Sequence, residues 1–231
     1  MRDPRSAIQA GSANAGRAGN PAAAPRDTRR ALARADLRLI ADVIRSGSRV
    51  LDVGCGDGKL LDYLVHHKQV DGRGIELSQA GVNACVAGGL SVIQGDADTD
   101  LRDYPSDSFD YVVLGQTIQA TRDPYNVLRE MLRIGRHAIV SIRNAGYWRT
   151  RLQLLLTGRM PVTDATAEAW YDNSDIHMCT IADFVGLCRD LGARIEHAYI
   201  LNGGKPLRAV GPMSGLGNFL GREALFMLSR E

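Results

Sequence analysis

RVLDVGCGDG, residues 49–58, is the stretch of sequence that decides the fold of this chain. Arg49–Val53 is a short apolar run of the kind that forms a buried strand, and Lys59–His67 behind it has the pattern of a helix. The three glycines between them let the turn pass close to a bulky ligand, because glycine has no Cβ atom to collide with it. Open α/β sheets bind ligands at the carboxyl ends of their strands. The stretch therefore predicts a strand, a ligand-binding loop and a helix.

Two nucleotide-binding motifs match this loop only in part. A dinucleotide-binding fingerprint, G-x-G-x-x-G, requires a third glycine where Lys59 stands, three residues after Gly56. A P-loop requires a glycine where Val53 stands, five residues before Gly58. It also requires serine or threonine where Leu60 stands. The loop fits neither motif and retains the pattern D-x-G-x-G-x-G.

Strands and helices alternate along the rest of the chain. Apolar runs predict further strands at 72–77, 90–94, 109–114, 137–142, 193–201 and 223–229, and helical patterns lie at 37–44, 79–87, 123–134 and 180–191. Near-continuous apolar strands separated by crossover helices are typical of a parallel sheet that is covered on both faces. The predicted fold class is therefore α/β, with helices on both faces of the sheet.

Acidic residues end the second and third predicted strands. Glu76 lies about 20 residues after the glycine loop, where a carboxylate accepts hydrogen bonds from ribose hydroxyls, and Asp96 follows the third strand. These residues, the loop and Phe109–Leu114 (FDYVVL) resemble the motifs of class I S-adenosylmethionine-dependent methyltransferases. The resemblance implies a Rossmann-like, seven-stranded, mostly parallel sheet with an antiparallel last strand. It also implies that the ligand is S-adenosylmethionine or S-adenosylhomocysteine.

The same resemblance implies a set of cofactor-binding residues, distributed over four strand ends. The glycine loop would contact the amino-acid portion of the ligand, the second strand end the ribose, the third the adenine, and the fourth the methionine side. The residues carried over are Asp52, Gly54, Cys55 and Gly56 in the loop, Glu76 and Leu77 after the second strand, Asp96 and Ala97 after the third, and Gly115 and Gln116 after the fourth.

From about residue 35 onward, the chain resembles the family of the methionine biosynthesis protein MetW. Besides LDVGCGDGKLL, the resemblance is carried by the segments 36–41 (DLRLIA), 115–119 (GQTIQ), 147–149 (YWR), 151–155 (RLQLL), 158–163 (GRMPVT), 170–172 (WYD) and 176–180 (IHMCT). It implies a role in methionine biosynthesis, with homoserine O-acetyltransferase (MetX) as the partner that the family supports or activates. No methyl acceptor is established for the family.

Residues 1–34 differ in composition from the rest of the chain. They contain seven arginines and two aspartates, a balance of +5, so the remainder of this +2 chain carries −3. Their scarcity of large apolar side chains predicts a disordered tail. One domain over 35–231 follows, in which 144–180 forms an insertion or lid. The mildly acidic domain predicts no nucleic-acid partner, and the lack of a long apolar stretch predicts a cytoplasmic protein with no membrane partner.

Candidate catalytic residues are few, and each has two interpretations. His177, near the aromatic residues Trp170 and Tyr171, is either a general base or a structural hydrogen-bonding group. Arg143 either holds a carboxylate bidentately or is a solvated strand terminus. The segment 123–125 (DPY) resembles a motif of amino-methyltransferases, but it lies about nine residues beyond the fourth strand and is interpreted as a helix cap.

Two further features bear on function. The four cysteines lack metal-binding spacing, so no metal site is predicted. Trp148 and Leu152–Leu156 form an apolar stretch that is either a lid over the site or an exposed partner surface, and Gln119 lies near the site without an assigned role. The chain is therefore expected to be an accessory partner of MetX or, alternatively, an active methyltransferase on a small-molecule acceptor.

Overall fold

The computed structural model describes residues 32, 34–159, 176–202, 207–208 and 215–230. The strands are β1 (Arg49–Val53), β2 (Asp71–Glu76), β3 (Ser91–Gln94), β4 (Phe109–Gly115), β5 (Gly135–Arg143), β6 (Ala193–Leu201), β7 (Leu207–Arg208) and β8 (Glu223–Arg230). The helices are α1 (Ala35–Val43), α2 (Lys59–Lys68), α3 (Gln79–Ala87), α4 (Pro124–Ile134), α5 (Trp148–Thr157), α6 (Ile181–Asp190) and α7 (Gly215–Leu220), with short 3-10 turns at Leu101–Asp103 and Ile118–Ala120.

The described strands form a single sheet in the order β3-β2-β1-β4-β5-β8-β6-β7. β1 to β5 are parallel to one another. β8 runs antiparallel to both of its neighbours, β5 and β6, so β6 points in the same direction as the first five strands. Seven strands thus make a mixed sheet whose last strand is antiparallel, and the two-residue β7 extends its edge beside β6.

The sheet has a hydrophobic core on each face. Alternate residues of β4 point in opposite directions, as the pleat requires. Val112 and Leu114 pack in the core that includes α4 and α6, whereas Tyr111 and Val113 pack in the core that includes α1 and α2. Burial on both faces explains why the sequence of this strand is a nearly continuous apolar run.

The seven predicted strands and the antiparallel last strand are confirmed, with ends that agree within two residues. The sequence analysis did not predict α5, α7 or β7 as elements. The predicted tail, 1–34, lies outside the described residues except for Leu32, which is buried in the core with α1 and α2, and Arg34. No described helix has both the length and the apolar composition to cross a membrane.

The buried side chain of Asn144, just beyond the end of β5, bonds to four backbone groups and joins three segments of the chain. Its Nδ2 donates to the carbonyl oxygens of Asn218 and Gly221 at 2.8 and 2.7 Å. Its Oδ1 accepts hydrogen bonds from the backbone N–H groups of Gly146 and Ile181 at 2.9 and 3.2 Å. The amide thereby uses both its donors and its acceptor in the interior. Asn144 fixes the start of α6 and the end of α7 against the sheet.

We expect Asn144→Ala to lower the free energy of unfolding by about 3 kcal/mol, because it leaves several buried backbone groups without a partner. Urea denaturation measures the change. Asn83→Ala is the matched control, because Asn83 is exposed on α3 and accepts a surface hydrogen bond from Gln79. The control should stay within about 0.5 kcal/mol of the wild type. Equal losses in the two variants would contradict the role of Asn144.

Candidate functional site

The glycine loop between β1 and α2 is held in a conformation that favours glycine. Gly54, Gly56 and Gly58 have φ angles of +69°, +59° and +78°, in the left-handed region. A Cβ atom on Gly54 would lie 2.9 Å from the side chain of Thr117, whereas no atom lies within 4 Å of the position of a Cβ on Gly56. The loop therefore packs tightly against the end of β4 on one side and leaves open space at Gly56.

The carboxylate of Glu76 connects the end of β2 to this loop. Its Oε2 accepts a hydrogen bond from the N–H of Gly56 at 2.8 Å. Its Oε1 accepts from the N–H and the hydroxyl of Ser78 at 2.9 and 2.8 Å. Ser78 in turn caps α3 by accepting from the N–H of Gly81. One side chain thus orients the glycine loop and the start of the following helix.

Asp52, at the base of the loop, is a buried carboxyl with a perturbed ionisation equilibrium. It is 3% exposed. Burial raises the pKa of Asp52 to about 7; the positive charge of Arg34 opposes this shift and the carboxylate of Glu76 adds to it. Near neutral pH, the protonated and ionised forms of Asp52 are therefore both populated.

The end of β3 is organised by acidic residues around one arginine. The guanidinium of Arg122 forms an ion pair with the carboxylate of Asp96, and its Nε lies 3.4 Å from Asp98 Oδ2. Asp98 also accepts hydrogen bonds from the N–H groups of Arg122 and Asp123, at 2.9–3.0 Å. The carboxylate of Asp96 is therefore paired with the guanidinium of Arg122. This ion pair was not predicted from the sequence.

The residues that follow β2 and β3 differ in how far they reach solvent. Leu77 is 65% exposed. Ala97 is partly buried and packs against the core that includes α4 and α6. The two residues flank the edge of the sheet at which Glu76 and Asp96 stand.

The end of β4 approaches the glycine loop. Gln116 adopts a φ of +60°, which is uncommon for a residue other than glycine. Its N–H donates to the carbonyl oxygen of Ser141 in β5 at 3.1 Å. The carbonyl oxygen of Gly115 accepts from Arg34 Nη2 at 3.2 Å. The chain thus turns sharply at the end of β4 and is held there from two sides.

Two cavities open at this edge of the sheet, side by side. The smaller, about 260 Å³, is lined mainly by Asp52, the glycine loop and the start of α2. The larger, about 620 Å³, is lined by the end of β4 and by charged side chains from α1, β5 and β8. Arg34, Gly54 and Gly115 line both cavities. The structure thus brings the loop and β4 residues predicted for the site together around one cleft.

The two predicted catalytic residues occupy different positions. Arg143 lines the larger cavity. His177 is exposed; its N–H donates to the carbonyl oxygen of Gln119 at 2.8 Å, and its Nε2 lies 3.3 Å from the carbonyl oxygen of Arg122. Both contacts are with main-chain atoms and tie His177 to the 3-10 turn after β4 and to the residues that follow this turn. The helix-cap interpretation of Asp123 is confirmed, because its side chain accepts from the N–H of Asn126 at the start of α4.

Gln119 has a structural role that the sequence left unassigned. Its side chain is 3% exposed. Its Oε1 accepts from the N–H of Arg143 at 2.8 Å, and its Nε2 donates to the carbonyl oxygen of Arg143 at 3.1 Å. This pair of hydrogen bonds imitates strand pairing and holds the 3-10 turn after β4 against the end of β5.

α5 lies near the start of the predicted insertion, 144–180, and none of its residues is buried. No residue of α5 lines either of the two cavities. Leu155 and Leu156 are 81% and 73% exposed. Trp170 and Tyr171 lie outside the described residues, so a lid role for the insertion stays a prediction.

Several charged residues of the cleft were not predicted from the sequence. Arg34 and Asp36, at the start of α1, form a two-pronged ion pair with N–O distances of 3.1 and 2.5 Å. Asp36 is buried and also accepts from the hydroxyl of Ser141. Arg222 and Glu223 come from the far end of the chain. Of these residues, only Asp36 lies in a segment that the sequence analysis singled out, DLRLIA. Arg222 and Glu223 reach the cleft through the β5–β8 pairing, which has no local sequence pattern.

The fold is similar to that of solved S-adenosylmethionine-dependent methyltransferases. A solved methyltransferase of this kind from Thermotoga maritima has a TM-score of 0.63 and 16% identity, covering 88% of this chain and 91% of that one. One from Archaeoglobus fulgidus has a TM-score of 0.61 and 15% identity, covering 87% and 94%. At these identities, the likeness shows the fold alone.

The chain belongs to the family described as methionine biosynthesis protein MetW, whose profile matches residues 34–228. The bifunctional methionine biosynthesis protein MetXA/MetW of Rhodopirellula baltica is 34% identical over 170 residues, which are 70% of this chain and 27% of that protein. The chain thus spans about a quarter of the length of this curated relative.

The raised pKa of Asp52 predicts a specific dependence of stability on pH. A carboxyl whose pKa is higher in the folded than in the unfolded protein stabilises the fold below its unfolded pKa, and this contribution is lost as the pH rises through the folded value. Between pH 4 and pH 8, we therefore expect Asp52→Asn to gain stability relative to the wild type, by up to about 4 kcal/mol. Urea denaturation across this range measures the difference.

Asp190→Asn is the matched control, because Asp190 is exposed at the end of α6. The free energy of unfolding of Asp190→Asn should equal that of the wild type at every pH. Parallel curves for Asp52→Asn and the wild type would show that Asp52 ionises like an exposed aspartate.

Proposed function

We propose that this chain binds S-adenosylmethionine or S-adenosylhomocysteine along the carboxyl edge of β1 to β4. We further propose that it acts in methionine biosynthesis as an accessory, activating partner of homoserine O-acetyltransferase (MetX), in the cytoplasm. The observation that carries the proposal is the open glycine loop tied to Glu76, in a chain of the MetW family. The bifunctional character of the Rhodopirellula baltica relative, named MetXA/MetW, supports the choice of partner.

The ribose would be held at the end of β2. An ionised carboxylate offers about four acceptor positions, and the hydrogen bonds that Glu76 accepts from Gly56 and Ser78 use three of them, two on Oε1 and one on Oε2. Oε2 therefore retains an acceptor position for a ribose hydroxyl. The open space at Gly56 lets the ligand approach the loop closely.

The adenine would lie between the ends of β2 and β3. Leu77 offers an exposed apolar surface for one face of the ring, and the N–H of Ala97 would donate to a ring nitrogen. Asp96 would accept from the adenine amine, sharing its carboxylate with Arg122. Binding would thus require the Arg122 side chain to yield part of its ion pair.

The amino-acid end of the ligand would lie at Gly54, Cys55, Gly115 and Gln116. When bound, S-adenosylmethionine supplies a methyl group activated by a positively charged sulfonium. Asp52 lies in the wall of the smaller cavity, and its ionised form favours the positive charges of the ligand.

The accessory role is supported by the exposed surface of α5. The four leucine residues of α5 are 44–81% exposed. Exposed apolar patches mark sites of protein association. His177 contacts main-chain carbonyl groups on both sides, which favours a structural role over that of a general base. The alternative is an active methyltransferase on a small-molecule acceptor, and the larger cavity beside Gly115 and Gln116 favours it.

We expect Glu76→Ala to weaken adenosyl-ligand binding by roughly 1–3 kcal/mol, through lost ribose hydrogen bonds and a loosened loop. Calorimetry with S-adenosylhomocysteine measures the affinity. Asp71→Ala, at the opposite end of the same strand, removes an exposed carboxylate away from the site and is the control. Affinities that agree within error for all three proteins would contradict the assignment of Glu76.

The accessory role predicts that the chain associates with the homoserine O-acetyltransferase of its host and changes its acetyl-transfer rate. Replacing Leu155 and Leu156 together by aspartate should weaken the association at least about tenfold, because it places two charges in an apolar interface. Val86→Asp, on the exposed face of α3, is the matched control. Pull-down and acetyl-transfer assays are made with and without S-adenosylmethionine.

Association that survives in the control and fails in the leucine variant would support the proposed surface. If no association is detected while the chain alone still binds the adenosyl ligand, the accessory role is wrong and the methyltransferase alternative replaces it.

A further inference from the structure

Arg34 lies at the boundary between the two cavities of the cleft. Its side chain is 44% exposed, and it lines both the smaller and the larger cavity. Its Nε and Nη2 donate to the two carboxylate oxygens of Asp36 at 3.1 and 2.5 Å, and Nη2 also donates to the carbonyl oxygen of Gly115 at 3.2 Å. A guanidinium carries five N–H groups. These contacts use the three N–H groups on Nε and Nη2.

The two N–H groups on Nη1 of Arg34 remain available to a ligand. Within the part of the chain that the structure describes, Nη1 has no hydrogen-bond partner. Because the pair of Arg34 with Asp36 has no net charge, Arg34 offers a ligand two directed donors rather than an excess of positive charge. Such donors on a guanidinium form strong hydrogen bonds to a carboxylate.

Asp36 holds the guanidinium of Arg34 in place. The carboxylate of Asp36 is fully buried and also accepts a hydrogen bond from the hydroxyl of Ser141 in β5 at 2.8 Å. The carbonyl oxygen of Gly115, at the end of β4, binds the guanidinium as well. Arg34 is therefore attached to two strands of the sheet, which limits the side-chain entropy that it loses on binding a ligand.

The smaller cavity contains a carboxyl group as well as Arg34. Asp52 lines it together with Gly54, Cys55 and Gly56. The positive charge of Arg34 acts to lower the pKa of Asp52, against the effect of burial, so the two side chains lie near enough to interact. Hydrogen-bond donors and a carboxyl group thus face the same space of about 260 Å³. The zwitterionic end of an amino acid, with a carboxylate and an ammonium on one carbon, suits this arrangement.

We propose that Arg34 binds the carboxylate at the amino-acid end of the adenosyl ligand through Nη1, while Asp52 faces the ammonium. Arg34 thereby selects S-adenosylmethionine and S-adenosylhomocysteine over adenosyl compounds that lack the carboxylate. This assignment rests on the proposed function, which places the amino-acid end of the ligand at Gly54 and Gly115. Both glycines line the two cavities beside Arg34.

Lys59 is the other described cation that lines the smaller cavity. Its Nζ lies 2.5 Å from Asp57 Oδ2, and both side chains are more than half exposed. Exposed ion pairs of this kind are weak and are not fixed in one geometry. Lys59 is therefore a less well-oriented carboxylate ligand than Arg34, and it is the alternative that an experiment has to exclude.

The test removes one charged group of the ligand at a time and measures affinity by calorimetry with the full chain. Decarboxylated S-adenosylhomocysteine, which keeps the ammonium, should bind to the wild type at least about tenfold more weakly than S-adenosylhomocysteine. The two compounds should bind about equally to Arg34→Gln. Deaminated S-adenosylhomocysteine, which keeps the carboxylate, should lose as much affinity through Arg34→Gln as S-adenosylhomocysteine does.

Arg34→Gln leaves the buried carboxylate of Asp36 without its cation, which lowers stability. The double variant Arg34→Gln/Asp36→Asn replaces the ion pair with two amides and should show the same loss of preference for the carboxylate. Arg45→Gln is the matched control, because Arg45 is exposed just beyond the other end of α1. Arg45→Gln and Lys59→Gln should both keep the preference of the wild type.

Equal affinities of the wild type for S-adenosylhomocysteine and its decarboxylated form would overturn the proposal. A preference that persists in Arg34→Gln or in the double variant, or that disappears in Lys59→Gln, would also overturn it. In each of these cases S-adenosylhomocysteine still binds, and the proposed function stands. If the wild type binds neither compound, the proposed function is itself wrong, and the assignment of Arg34 is wrong with it.

Discussion

The hydrogen bond from the N–H of Gly56 to the carboxylate of Glu76 is the contact on which the site depends. It joins the loop after β1 to the end of β2, and the left-handed φ angles of the loop glycines make it geometrically accessible. Glu76 also accepts hydrogen bonds from the N–H and the hydroxyl of Ser78, so the same carboxylate orients α3. The open space above Gly56 and the smaller cavity both follow from the shape that this contact imposes on the loop.

The parallel half of the sheet was predictable because its information is local. Each strand there is an apolar run next to a crossover helix, and the loop carries its own glycines. The residues proposed for the adenosyl site, such as Glu76 and Asp96, come from the resemblance of these strand ends to methyltransferase motifs. The role of Arg122 could not be predicted from the sequence, because its pairing with Asp96 spans 26 residues and has no sequence pattern. Arg222 and Glu223 reach the cleft only through the antiparallel pairing of β8 with β5, which periodicity cannot predict.

The two cavities of the cleft share a wall, and Arg34 lies between them. Around Asp52, burial favours the protonated carboxyl, and a cationic ligand would favour the ionised form. Arg34 is paired with Asp36 and bonded to the carbonyl oxygen of Gly115. Its positive charge also favours the ionised form of Asp52.

The most direct test of this account is a crystal structure of the chain with S-adenosylhomocysteine. The account predicts ligand density along the ends of β1 to β4, with the ribose hydroxyls on Glu76, the adenine against Leu77 and its amine on Asp96, and with Arg122 shifted from its position on that carboxylate. Density for the ligand at another place, or an adenosyl group at this edge that does not touch Glu76, would contradict it.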